Sequence, residues 1–203
     1  LIQVTVFSRR SSMIQTRNQK GTSTVFLPMQ HYNYQDAFKQ LFETAVSQFE
    51  RGNKNKDSYF SEDEQSQIAA NGWRIQDFFD YAEDLNQWGE PSYEIAQSIE
   101  QVRREYFLHK LDGKSSPNRA SISELPARSD SLGGIAWLPR ILTKARGKLL
   151  GELPNEIMYC CGGDRHFLKT HDIHPSEFLR IVWANWDNDH GVLEFVKSRG
   201  SAT

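Results

Sequence analysis

The spacing of apolar residues is what most constrains this chain. From Asn33 to Arg51 they fall at Tyr34, Ala37, Phe38, Leu41, Phe42, Ala45, Val46 and Phe49. That is i, i+3, i+4, i+7 spacing, which puts one broad apolar stripe on a helix and needs a core to cover it. Gly52 follows as a stop. The same pattern recurs. Ser61 with Glu64 three residues on predicts a capping box opening a second helix, and Asn71-Gly72 ends it. A third helix carries Ile75, Phe78, Phe79, Ala82 and Leu85 and stops at Gly89. Pro91 suits the first turn of a fourth, which continues through Ile95, Ala96, Ile99, Val102, Tyr106 and Phe107 to about Lys110.

Asp112 to Ser131 breaks the rhythm with Gly113, Pro117, Pro126 and a run of serines, and reads as an exposed linker. Beyond it, Ile135, Leu138, Ile141, Leu142, Ala145, Leu149 and Leu150 mark a fifth helix ending at Gly151. Its other face holds Arg140, Lys144, Arg146 and Lys148. Pro154 to Gly163 is non-helical, Asp164 is the expected N-cap of a short helix, and His174-Pro175 opens another. A last helix begins after Asp187 or Asp189. The expected fold is all-α, about eight helices in two packed helical subdomains, with a short non-helical segment near 154–163. The subdomains are an acidic one over 29–111 and a second over 132–198, joined by the linker 112–131. Residues 1–28, rich in Ser, Thr, Gln and Arg, read as a tail ahead of a natural start at Met29, with Met13 the alternative start. The competing reading is an N-terminal strand built on Val4, Val6, Val25 and Phe26.

Aromatic residues make up 12% of the chain, enough to bury a core, which excludes a disordered protein. No apolar run approaches the roughly 18 residues needed to cross a bilayer, and no signal peptide opens the sequence, so no membrane is expected. Only two cysteines are present, which points to a soluble protein of the reducing cytoplasm. Charge is uneven: residues 57–100 hold eleven acids against the single base Arg74, and residues 101–150 hold ten bases against four acids. The expectation is that acids coat solvated faces and partly pair with the basic segment. A sequence pI near 6.3 argues against nucleic acid as a partner. P-loop, dinucleotide and GxSxG patterns are absent.

One stretch resembles a known family. Leu132-Gly133-Gly134, Leu138-Pro139-Arg140, Lys144-Ala145-Arg146 and Gly151 are followed by Tyr159, Cys161, Asp164-Arg165 and Phe167-Leu168, with Ile173 ahead of the next helix. In this order, over about 132–197, they resemble a bacterial family catalogued as domain of unknown function 5069. The region from about Tyr32 to Leu108 is similar to the helical N-terminal half of longer members, through Gly89-Glu90-Pro91-Ser92 and Val102-Arg103-Arg104 with Tyr106-Phe107. Thr143 stands where the family pattern has an acid, and Gly162-Gly163 where it has Pro-Leu. The resemblance implies the order of the fold and no activity.

The candidate site follows from charge and thiol chemistry. Cys161 lies just before a helix start, near Arg165 and His166. Positive charge and a helix N-terminus both favour a thiolate, so Cys161, Asp164 and His166 are the catalytic candidates. The alternative is that Cys161 is a small buried hydrophobe. Arg140, Lys144 and Arg165 are the candidates for binding an anion, with the helix start at Asp164 offering N–H groups. His166, His171 and His174 lack the spacing of a metal motif, so no metal and no cofactor is expected. The leading expectation is a binding or interaction protein with an anion-favouring pocket between helices, its partner a small anionic ligand or another protein. The alternatives are an enzyme using Cys161 as nucleophile, and a scaffold docking a basic partner on its acidic half.

Overall fold

The computed structural model describes residues 31–200. The tail and the start at Met29 lie outside them. Eight helices follow in order: α1 (Tyr34–Glu50), α2 (Glu62–Ala70), α3 (Ile75–Trp88), α4 (Tyr93–Lys110), α5 (Leu138–Leu150), α6 (Gly162–Thr170), α7 (Pro175–Ala184) and α8 (Asp189–Gly200). The protein is predominantly all-α, as its periodicity predicts. The helix ends have the expected chemistry. Ser61 and Glu64 form the capping box of α2. Gly89 and Gly151 end α3 and α5 in the left-handed conformation, and the His174 ring nitrogen caps α7 ahead of Pro175. Pro91 precedes α4 instead of entering it: Ser92 is the cap, its hydroxyl accepting from the Ile95 N–H.

Two apolar cores form. The first gathers the aromatic stripe of α1 with α2 and α3, where Phe38 lies 5.2 Å from Phe78 and 5.3 Å from Trp73, ring centre to ring centre. The second gathers α5, α6, α7 and α8 around Leu138, Ile141, Leu142, Phe178 and Val182. Helix α4 serves both. Its Ala96 belongs to the first core, while Ile99, Val102 and Tyr106 belong to the second. The apolar division thus falls inside α4, upstream of the 112–131 segment that composition marks.

The fifth helix starts later than its apolar pattern suggests. Ser131–Leu132 (β1) pairs antiparallel with Ile135–Ala136 (β2) across Gly133-Gly134, both at positive φ, the conformation a two-residue hairpin loop demands. This small hairpin aims the chain into α5. The non-helical stretch runs from Gly151 to Cys161, not to Gly163 as expected, because α6 already begins at Gly162, and its residues Asn155 to Met158 line one hollow with the start of α5.

Candidate functional site

A cleft of about 390 Å³ lies between α3 and the first turns of α5. Arg140, Lys144 and Cys161 all line it, together with Trp137 and Arg128. The cationic helix and the thiol-bearing turn therefore do face one hollow.

Asp164 fixes this arrangement. It is fully buried. One carboxylate oxygen accepts from the Trp137 indole N–H at 3.0 Å. The other accepts from the Lys144 ammonium and from the Cys160 backbone N–H at 2.9 Å. This corrects its expected role. Helix α6 begins at Gly162 with Cys161 as N-cap, and Asp164 sits in its first turn, facing inward to the ammonium. Once buried, this carboxylate needs a countercharge and donors around it, and Lys144, Trp137 and the Cys160 N–H supply them. Gly163 makes the turn possible, because a Cβ there would stand 2.4 Å from the Trp137 ring.

Lys144 is buried too, so it is no open anion receptor. Its ammonium lies between Asp164 and the Cys161 sulfur, donating to Sγ across 3.1 Å. Cys161 is partly exposed to the cleft, whereas its neighbour Cys160 turns into the core at φ 70°. Burial, then the Asp164 charge, pushes the Cys160 thiol up to about 12, so this sulfur stays protonated.

Arg140 comes from the first turn of α5. It donates to the Pro126 carbonyl at 2.7 Å and stands 5.9 Å from the Trp137 ring. Arg128 stands 6.0 Å from the same ring. Two guanidinium groups thus flank one indole at the cleft. The opposite wall is acidic, with Asp80, Glu83 and Asp84 of α3. Asp80 accepts from the Gln76 amide at 2.7 Å. Burial, reinforced by the Asp77 charge, pushes its carboxyl up to about 7.

Arg165 does not join the cleft. It is buried on the far side of Cys160, bonded to Asp84 and to the Cys160 carbonyl, each at 2.8 Å, with Glu90 at 3.4 Å. It lines a separate hollow of about 240 Å³ with Ile95 and Leu168. His166 is exposed and lines neither hollow. Of the sequence-derived residues, Arg140, Lys144 and Cys161 meet in the cleft, Asp164 supports them from behind, and Arg165 and His166 stand elsewhere. Arg128 and Asp80 were missed. Arg128 sits in an aperiodic segment that gives its side chain no predictable direction, and Asp80 is one acid among many.

The acids and bases do pair across the halves, several of them in the interior. Lys148 is buried between Asp77, at 2.9 Å, and Glu100, which also accepts from the Tyr81 hydroxyl at 2.8 Å. Among the described residues, no group of three or more His, Cys, Asp or Glu is placed to hold a metal ion, and no helix is long and apolar enough to cross a membrane.

Helices and cleft together define a mainly helical protein with a lysine-contacted thiol at a solvent-reached hollow. Its residues 124–203 match the model of a family described as domain of unknown function (DUF5069). The match includes Arg128, Arg140, Lys144 and Cys161, the α5 side of the cleft. No curated protein and no solved structure matches the chain.

Proposed function

We propose that this is a ligand-binding protein of the bacterial cytoplasm whose site is the cleft between α3 and α5. Arg140 and Arg128 receive the negative end of a small anionic molecule beside the Trp137 ring, and the Cys161 sulfur lies in the same hollow. The observation that carries this reading is the convergence of Arg128, Trp137, Arg140 and Cys161 on one cleft of about 390 Å³. Clefts of this size between packed helices are where small ligands bind. The acidic α3 wall favours a ligand that also carries a donor or a positive group. The test is protection of Cys161. Aspartate and citrate are expected to slow its alkylation by iodoacetamide in the wild type and not in Arg140→Gln. Alkylation indifferent to every small carboxylate would remove the reading.

A second reading, a thiol-dependent enzyme, has its own support in the 3.1 Å contact between the Lys144 ammonium and the Cys161 sulfur. An ammonium donor in contact with the sulfur is the kind of partner a nucleophilic thiol uses. In this reading Lys144, and not His166, faces the sulfur. Rapid alkylation of native Cys161 at neutral pH, lost in Lys144→Met while the fold is kept, supports it. Labelling of Cys161 only after denaturation removes it.

A further inference from the structure

A second cavity, of about 420 Å³, lies on another side of the molecule, where the start of α3 meets the end of α5. Arg74, Arg103 and Arg119 all line it. Among the described residues, none of the three forms an ion pair with a carboxylate. Arg74 donates to the Asn155 amide oxygen at 3.2 Å. Arg119 donates to the carbonyls of Asn118, at 2.7 Å, and Gly151, at 3.1 Å. Arg103, on α4, is 2% exposed, and its Nε and Nη1 have no hydrogen-bond partner.

A buried guanidinium with donors unsatisfied is costly unless something else satisfies it. Of the two carboxylates near Arg103, Asp77 and one oxygen of Glu100 pair with Lys148, while the other Glu100 oxygen is itself without a partner. Glu100 Oε2 makes no bond to Arg103. Burial pushes the Arg103 guanidinium below its usual range, Glu100 and Asp77 oppose the shift, and Arg74 adds to it. At the rim, Lys56 and Asp57 pair with each other at 3.1 Å and leave the cavity's balance positive.

The start of α3 points the same way. Arg74 is its N-cap and makes no side-chain capping bond, and Ile75 and Gln76, the first helical residues, line the cavity. The N-terminal, electropositive end of α3 thus borders the same space as the guanidiniums.

We propose that this cavity binds a phosphate-like oxyanion, held by Arg74 and Arg119 at its wall, with the buried Arg103 guanidinium adding positive charge behind them and the start of α3 beside them. Three guanidinium groups and a helix start suit a group with more than one negative charge and several acceptor oxygens. The cavity is larger than a lone phosphate, so the same cradle takes either free phosphate or the phosphoryl group of a small monoester. This site is separate from the cleft that holds Cys161.

Isothermal titration calorimetry with inorganic phosphate, at low ionic strength, tests the proposal. Arg119 is exposed, so Arg119→Gln is expected to keep the melting temperature in phosphate-free buffer. Arg119→Gln and Arg74→Gln should each weaken phosphate binding roughly tenfold, the loss of one charge-assisted contact. Arg140→Gln, in the other cleft, should leave it unchanged. Glycerol 3-phosphate is the second arm: tighter binding than phosphate marks a monoester site, and equal binding a free-phosphate site, and both support the cradle. The proposal is overturned if the wild type binds phosphate no better than chloride, or if Arg140→Gln abolishes binding while Arg74→Gln and Arg119→Gln do not.

Discussion

Lys144 is 2% exposed, with a carboxylate on one side and a sulfur on the other. Replacing it by methionine removes the countercharge of a fully buried Asp164. Such a break costs about 3–5 kcal/mol in comparable buried pairs, and urea denaturation of Lys144→Met should show a loss of that size. Asp80 makes the opposite prediction. Its carboxyl titrates near 7 in the fold and near 3.8 unfolded. Between those values the folded state binds more protons than the unfolded one, so this group makes stability fall as pH rises through the window. Asp80→Asn should raise the melting temperature at pH 8, with the gain shrinking towards pH 5. At this scale the sequence was only half legible. It identified the residue types, but Arg165 finds its acid 81 positions away and Lys144 finds its own 20 positions away. Both read as available cations because pairs so distant along the chain leave no local trace.

The helices were the most legible level, because each carries its own start, stripe and stop. The capping box of α2 is a direct case: Ser61→Ala should cost about 1 kcal/mol, measurable as a lower urea midpoint at unchanged slope. Where local signals competed, the reading slipped. Asp164 has the chemistry of a cap, but a buried ammonium claims it, and the helix starts at Gly162 instead. The β1–β2 hairpin escaped notice because two residues per strand are too few to show alternation, and the apolar Ile135 fitted the stripe of the following helix.

At the scale of the molecule, α4 joins what composition separates. It packs on α1 on one side and on α5 and α7 on the other. The Trp73 indole N–H donates to the Glu100 carbonyl at 3.2 Å, and Lys148 ties α3 to α4. Unfolding in urea should therefore follow a single transition, with far-ultraviolet circular dichroism and tryptophan fluorescence coincident. Two separated transitions would show that the halves fold independently. The sequence pattern breaks at 112–131 but could not reveal that a helix upstream of it completes the downstream core.

The DUF5069 match begins at residue 124, after α4 has ended. A polypeptide trimmed to that boundary would be missing Ile99, Val102 and Tyr106 from its own interior. Produced alone, it should aggregate or give collapsed proton spectra, and extending it back to Ser92 should restore dispersed resonances. A unit delimited by sequence likeness would then be smaller than the unit able to fold.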